Sequence, residues 1–279
     1  MGRDPGGRGS GRGAPRQPLS QRRPKAARKA AAAKGGRDRQ AQVAKDHRRL
    51  ANSIPSNKAR TRKGSRIAAA ALPAHARLVY EALSALYPDA HCELDHQGAW
   101  QLLVATVLSA QCTDRRVNMV TPRLFATWPG PAELAAAPQE ELEEVIRATG
   151  FFRNKARNLI AMAGAIADRF TGRVPGTMGE LVQLPGVGRK TANVVLGNAL
   201  GMNEGVVVDT HVQRLSARLG LTRETDPARI ELVLMSLFPR EHWTMLSHLL
   251  IWHGRRVCDA RRPKCEQCVL ARTCPSAIA

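Results

Sequence analysis

The segment LVQLPGVGRKTANVV, at residues 181–195, places a glycine turn directly before a lysine. Residues 185–188 interrupt a short amphipathic helix, and the chain is again predicted to be helical afterwards, so the sequence indicates helix, hairpin, helix over about residues 178–200. Glycine permits positive φ and exposes amides, and a helix begins with free N–H groups, which together favour an anion. A DNA phosphate is one such anion, and the amides that would hold it belong to Gly186, Val187, Gly188 and Arg189. An ordinary helix connection is the alternative for such a turn taken alone.

Lys190 lies in the first turn of the second predicted helix, where a cation is electrostatically misplaced. Either this charge is solvated or the charged form is disfavoured. An uncharged lysine amine is a nucleophile suited to Schiff-base chemistry with the aldehyde carbon of a sugar. Lys190 is therefore a candidate catalytic residue.

Asp209 follows a short apolar run and precedes a helix predicted at residues 212–219. Asp209 or Thr210 could simply cap that helix, since such caps are common. The two roles are compatible, because a carboxylate at a helix start could also stabilise positive charge at a sugar C1′ or handle protons. Asp209 is therefore a candidate acidic partner for Lys190.

Four of the six cysteines form the pattern C-x6-C-x2-C-x5-C within residues 258–274. In a chain without a visible secretory signal, such a group favours a metal or cluster site over disulfides. Only one of the spacings is a close pair, so zinc and a [4Fe-4S] cluster both remain open, and visible absorption of the purified protein would distinguish them. The candidate ligands are Cys258, Cys265, Cys268 and Cys274.

Apolar side chains recur at helical spacing from about Leu72 onward, and sustained alternating runs are absent. The elements that position these candidate residues are therefore predicted to be helices. An all-α domain over residues 72–279 is predicted. One of its helices is expected at about residues 154–170, and another begins after Asp226 with Pro227 in its first turn. These apolar stripes are expected to form the core and not to bind a cofactor.

Residues 1–65 differ sharply in composition, with 19 Lys or Arg residues and three acids, and so carry +16 of the net charge of +20. So few large apolar residues cannot offset the entropy of ordering, which predicts a disordered basic tail. Such a tail attracts polyanions, nucleic acid being the usual one. A tail that only aids solubility and an organellar import signal are the alternatives.

The start of the chain lacks an apolar signal region, and no run of eighteen apolar residues occurs in the sequence. These features predict a protein that does not enter the membrane. We expect a cytoplasmic location, on a bacterial nucleoid, while organellar import by the tail stays open.

The motifs LPGVGRKTANVV, VDTH and C-x6-C-x2-C-x5-C, in this order and at this spacing, resemble those of the helix-hairpin-helix DNA glycosylases of the endonuclease III family. The resemblance covers roughly residues 72–274, and LSAQCTD at residues 108–114 is similar to the family loop that enters the DNA helix. It implies two helical subdomains that flank a DNA-binding cleft. It also implies a structural [4Fe-4S] cluster, in a subdomain built from both ends of the chain.

Carried over by position, the resemblance makes Lys190 the catalytic lysine, Asp209 the catalytic aspartate and the four cysteines the cluster ligands. Gln111 falls where the family fills the space left by a flipped nucleotide. Phe151 falls where an apolar wedge, often leucine, is expected, so this residue departs from the family pattern. Cys112, where a small residue is usual, is a second departure.

The implied function is that of a bifunctional DNA glycosylase and AP lyase of base excision repair. It would act as a monomer on double-stranded DNA with a damaged base or an abasic site. A damaged base costs less to extrude than a normal one. The resemblance suggests oxidised pyrimidines as substrates, removed through a lysine Schiff base, with β-elimination then breaking the strand.

Three other functions would use parts of the same sequence pattern. Adenine glycosylases that act on mismatches share the hairpin, the aspartate and the cysteines, but they lack a lysine at the position of Lys190. A DNA-binding module without chemistry would leave the pair of Lys190 and Asp209 unexplained. The third rival is a zinc-binding regulator built around the cysteines.

Overall fold

The structure is a computed structural model that describes residues 67–278, and these residues belong to one compact unit. No strand occurs in this part of the chain, which confirms the predicted all-α class. The basic tail predicted at residues 1–65 lies outside the described residues. In chain order the α-helices are α1 (Leu72–Leu86), α2 (Gly98–Leu108), α3 (Asp114–Thr127), α4 (Pro131–Ala135), α5 (Gln139–Ile146), α6 (Phe152–Phe170), α7 (Met178–Leu181), α8 (Arg189–Ala199), α9 (Thr210–Arg218), α10 (Pro227–Leu237) and α11 (Trp243–Arg256).

The buried apolar side chains form two separate clusters, which correspond to the two predicted helical subdomains. The first cluster runs from Leu94 to Leu196 and contains side chains of α2 to α8. The second combines side chains of α1 with others between Val206 and Leu270. The described chain therefore begins in the second cluster, continues through the first cluster, and returns to the second. This order is expected for a subdomain made from both chain ends.

Helix ends follow the local signals in the sequence. The Asp226 side chain accepts a hydrogen bond from the Arg229 amide at 3.0 Å, and Pro227 opens α10, as predicted. Thr177 caps α7 by accepting from the Glu180 amide, while its hydroxyl donates to the Glu180 carboxylate at 2.7 Å. These two bonds link the Thr177 hydroxyl to the main chain and the side chain of Glu180 and fix the entry into the hairpin.

Helix α3 is an element that the sequence analysis did not predict. Consecutive arginines near its start and Pro122 in its interior obscure the apolar periodicity. Val117, Val120 and Leu124 are nevertheless buried in the first cluster. The signal that could have found this helix is Thr113, whose side chain accepts from the Arg116 amide as an N-cap.

Candidate active site

Lys190 and Asp209 line the same cavities, although 19 positions separate them in the sequence. A wide cavity of about 1270 Å³ and a smaller one of about 110 Å³ both include the two residues in their walls. Lys190 is exposed at the start of α8, and Asp209 is half-buried directly before α9. The structure therefore brings together the two residues that the sequence analysis selected as a catalytic pair.

Gly186 and Gly188 contribute differently to the turn that precedes Lys190. Gly186 has a φ of +76°, and a Cβ atom there would lie 3.0 Å from the Cβ of Asn158, so only glycine fits. Gly188 instead has a φ of −96° and is the N-cap of α8. Of the two glycines that would permit positive φ in this turn, only Gly186 adopts it.

The hairpin amides divide into bonded and available ones. Val187 is buried, and its amide donates to the Leu184 carbonyl at 3.1 Å, so this amide serves the turn itself. The Ala192 amide donates to the Gly188 carbonyl at 3.0 Å. The helix amides that precede it in α8 are those that a helix start leaves for an outside acceptor. Of the predicted phosphate contacts, Gly186, Gly188 and Arg189 are better placed than Val187.

The Arg189 side chain is held by the buried carboxylate of Glu231 on α10. Nε and Nη2 of Arg189 donate to the two carboxylate oxygens at 2.7 and 3.0 Å, and Asn193 Nδ2 donates to Oε1 at 2.8 Å. These bonds raise the pKa of Arg189. A Cβ at Gly205 would lie 2.0 Å from Glu231 Oε1, so this position must lack a side chain. The Arg189 side chain thus anchors the start of α8. The part of Arg189 left for the predicted DNA contact is its main-chain amide.

Asp209 is the N-cap of α9. Its Oδ1 accepts hydrogen bonds from the amides of His211 and Val212, both at 2.8 Å. The segment before it is fixed by the Val207 amide, which donates to Ser247 Oγ on α11 at 2.9 Å. The capping role weighed in the sequence analysis is therefore present, and Oδ2 carries neither of the two capping bonds.

His248 and Asn198 form a polar pair in the wall of the smaller cavity, which the sequence analysis missed. The Nε2 atom of His248 lies 2.6 Å from Asn198 Oδ1. Burial lowers the pKa of His248 to about 4, and the charge of His91 contributes in the same direction. The available signal was a histidine within the otherwise apolar stripe of α11.

Gln111 lies in the turn between α2 and α3 and lines the wide cavity. It is exposed, with a φ of +53°. The turn is closed by the Cys112 amide, which donates to the Ser109 carbonyl at 3.0 Å. At its far end Asp114 pairs with Arg255 of α11 at 2.8 Å. This salt bridge joins the Gln111 turn to the second apolar cluster.

Phe151 is the N-cap of α6 and lines neither cavity. Its side chain is 65% exposed, and its φ is +49°. Among the described non-glycine residues, positive φ occurs at Gln111, Phe151 and Thr171. A left-handed conformation costs an L-residue about 1 to 2 kcal/mol, and such strain often accompanies function. Two of these three residues are those that the family resemblance places against DNA.

The four C-terminal cysteines surround one cavity of about 160 Å³. Burial raises the pKa of Cys268 to about 12 and that of Cys274 to about 11, with neighbouring sulfurs adding to both effects. A cationic centre at this position would favour the thiolate forms of Cys268 and Cys274 and offset their charge. Among residues 67–278, no group of three or more His, Cys, Asp or Glu side chains is arranged to hold a metal ion. The donor set suits a larger four-thiolate cluster.

No helix in the described part of the chain is both long and apolar enough to span a bilayer.

Comparison with known proteins places this fold and site in a class. Residues 104–240 match the HhH-GPD superfamily of base excision DNA repair proteins. The chain is similar to a thermostable thymine-DNA glycosylase in fold, with a TM-score of 0.66 at 21% identity. The class is thus that of helix-hairpin-helix base excision repair proteins.

Closer relatives define the family. The chain is 57% identical to endonuclease III of Synechocystis sp. over 71% of this chain and 90% of the relative. It is 45% identical to endonuclease III of Bacillus subtilis over 68% and 86% of the two chains. The structure of a non-covalent endonuclease III-DNA complex matches with a TM-score of 0.71 at 44% identity, over 74% of this chain and 96% of that one. The chain belongs to the endonuclease III family and is an enzyme of the DNA N-glycosylase and AP lyase class.

Proposed function

We propose that this enzyme removes oxidised pyrimidines from double-stranded DNA, with Lys190 as nucleophile and Asp209 as its acidic partner. The observation that carries the proposal is the presence of both side chains in the walls of the same two cavities. A similar protein, an endonuclease III with a TM-score of 0.71, has been captured as a covalent intermediate with DNA. That relative supports a covalent mechanism here.

The reaction begins when the damaged nucleotide leaves the base stack and enters the cleft, which costs less for a weakened base pair. The Lys190 amine attacks C1′ as the bond from C1′ to the base breaks, and the base leaves with the electron pair. Asp209 stabilises the positive charge that develops at C1′ and handles protons. The new C1′ ammonium then loses one proton, and the nitrogen lone pair expels O4′, which takes up a proton, so that the sugar ring opens and a protonated Schiff base (an iminium) joins Lys190 to C1′.

The iminium then makes a proton at C2′ acidic. Removal of this proton drives β-elimination, which breaks the bond between C3′ and the phosphate oxygen on its 3′ side. Water hydrolyses the remaining Schiff base and regenerates the lysine. Both the glycosylase and the lyase steps therefore depend on the same nitrogen atom.

DNA would be held without reading its sequence. The free amides at the start of α8 bind a backbone phosphate. Gln111 fills the space that the extruded nucleotide leaves, and Phe151 acts as the apolar wedge. We propose that the chain acts as a monomer.

The four cysteines would hold a [4Fe-4S] cluster. Its contribution would be structural, because it would tie the loop at residues 258–274 to the second apolar cluster, which Cys258, Cys268 and Cys274 contact. Arg218 on α9 supports this loop by donating to the carbonyls of Asp259 and Ala260 at 2.6 and 2.7 Å.

Borohydride trapping tests the proposed nucleophile. Wild type should form a covalent adduct with a duplex that carries one abasic site or one oxidised pyrimidine. Lys190→Ala and Lys190→Arg should form none, while both bind the duplex, since the arginine variant keeps the charge and removes the amine. An adduct in the Lys190→Arg variant would assign the reaction to another amine. No adduct from folded, DNA-binding wild type would favour the monofunctional alternative.

A further inference from the structure

Lys155 is a buried lysine that lines neither of the two cavities. Its side chain is 5% exposed, and it lies among the buried residues of α6. Its Nζ atom donates hydrogen bonds to the main-chain carbonyls of Leu108 and Thr149, each at 2.8 Å. Burial lowers the pKa of Lys155. Burying a cation costs free energy unless strong acceptors receive its hydrogen bonds, so a buried ammonium at this position indicates a specific role.

The two carbonyls belong to the bases of two different turns. Leu108 is the last residue of α2, and Gln111 follows three residues later. Thr149 ends the 3-10 helix Arg147–Thr149, and Phe151 follows two residues later. One ammonium group therefore joins the two turns that carry the exposed residues Gln111 and Phe151, both of which have positive φ.

The main chain of Lys155 strengthens this connection. Its amide donates to the Phe151 carbonyl at 3.1 Å, so Lys155 holds Phe151 directly as well as through Thr149. The Thr149 hydroxyl donates to the Ile146 carbonyl at 2.8 Å, which fixes the base of the turn. An ammonium has three donors on a flexible stem and can serve separate carbonyls at once. An apolar side chain of similar length would leave both carbonyls without this donor.

We propose that Lys155 is a positioning residue that sets the distance between the Gln111 and Phe151 turns, so that both side chains enter the DNA as one unit. The inference rests on the proposed function, which assigns these two side chains to the gap and the wedge. Lys155 itself touches neither the sugar nor a phosphate in this account. Its effect is on recognition of the opened duplex and not on the chemistry of Lys190.

The test uses the full chain and a duplex that contains tetrahydrofuran, a stable abasic analogue, opposite 2-aminopurine. Lys155→Met should bind this duplex on the order of tenfold more weakly, as expected for loss of one charge-assisted buried contact. The rise in 2-aminopurine fluorescence on binding should decrease. Binding of an undamaged duplex and the slope of log Kd against log salt should not change, because Lys155 contacts no phosphate.

Double-mutant cycles separate positioning from general loss of stability. If Lys155 acts through Gln111 and Phe151, the effect of Lys155→Met should be much smaller in a Gln111→Ala or Phe151→Ala background. Met162→Ala is the matched control, because Met162 is fully buried about two turns further along the same helix. It should lower stability without changing the Kd ratio between damaged and undamaged duplexes. Lys155→Arg, which keeps donors at the end of the chain, should restore part of the binding.

The result that overturns the proposal is a Lys155→Met protein with wild-type affinity and a wild-type fluorescence change, or effects that add fully with Gln111→Ala. If Lys155→Met does not fold, Gln111→Ala and Phe151→Ala are combined in the otherwise wild-type chain, and additive effects there also overturn it. Failure of the proposed chemistry gives a different result. Wild type would then form no borohydride adduct, whereas Lys155→Met at saturating concentration should still form one if Lys190 is the nucleophile.

Discussion

Lys155 and Lys190 each lie in the first turn of a helix, yet their surroundings differ completely. Lys190 is the second residue of α8, is exposed, and lines both cavities of the cleft. Lys155 is the fourth residue of α6, is buried, and donates to two carbonyls. The Lys190 amine faces a cavity, where a ligand could reach it, whereas the Lys155 ammonium donates two hydrogen bonds to carbonyls.

This difference indicates that neither residue type nor helix position determines what a lysine does. The distinguishing feature is the set of acceptors around the nitrogen. Around Lys155 these acceptors are main-chain carbonyls from segments 47 and 6 positions away. The partner proposed for Lys190 is a carboxylate from the next helix start, Asp209, which is itself held by two amides.

The largest expected effect concerns that carboxylate. Asp209→Asn should reduce single-turnover base excision on the order of 10²- to 10⁴-fold, since it removes the group that handles protons and charge at C1′. Asparagine caps helices about as well as aspartate, so the free energy of unfolding should change little. Asp226→Asn is the matched control, because Asp226 caps α10 with the same kind of bond and lines neither cavity. If both variants keep full activity, Asp209 is only a cap.

A smaller effect should come from His248, a third nitrogen base near the cleft. Its folded-state pKa of about 4 lies below the ordinary value of 6.5, so the unfolded chain binds the proton first as the pH falls. Stability should therefore decrease between pH 6.5 and pH 4, by about 3 kcal/mol in total for this group. Chemical denaturation at several pH values measures the loss in wild type and in His248→Gln.

The variant isolates this contribution, because the other titrating groups are common to both proteins. The decrease from pH 6.5 to pH 4 should be smaller in His248→Gln than in wild type. If the free energy of unfolding depends on pH in the same way in both proteins, protonation of His248 does not destabilise the folded state. The buried pair with Asn198 would then tolerate a charge, as the ammonium of Lys155 is tolerated among its carbonyls.

The parts of the site that were predictable from the sequence are local ones. The hairpin and Lys190 lie within fifteen residues, and the Asp209 cap is set by its own next three residues. Such features depend on turn and capping chemistry, which short segments encode. The all-α class followed in the same way from helical spacing.

The features that could not be predicted depend on contacts between distant segments. Glu231 holds Arg189 across 42 positions, and nothing in either segment identifies the partner. Lys155 reads in the sequence as an ordinary exposed lysine, because burial is decided by packing of α6 against its neighbours. The same applies to His248 and Asn198, which are 50 positions apart.

The smallest expected effect compares the two ends of α6. Phe151 at its start and Thr171 at its end both adopt left-handed backbone conformations, with φ of +49° and +51°. Thr171→Gly should stabilise the protein by roughly 0.5 to 1 kcal/mol, because relief of strain exceeds the entropy cost of glycine. It should leave binding of the abasic-analogue duplex unchanged. Thermal unfolding and Kd measure the two quantities.

Phe151→Gly and Gln111→Gly are the matched variants at the other left-handed positions. The same relief of strain should occur at each, but binding of the damaged duplex should weaken, because these side chains are the ones proposed to enter DNA. A gain in stability with a loss of binding is the expected trade at a functional site. Unchanged binding in Phe151→Gly would mean that the strain at Phe151 serves only the helix end, as at Thr171, and would contradict the proposal that Lys155 positions both side chains as one unit.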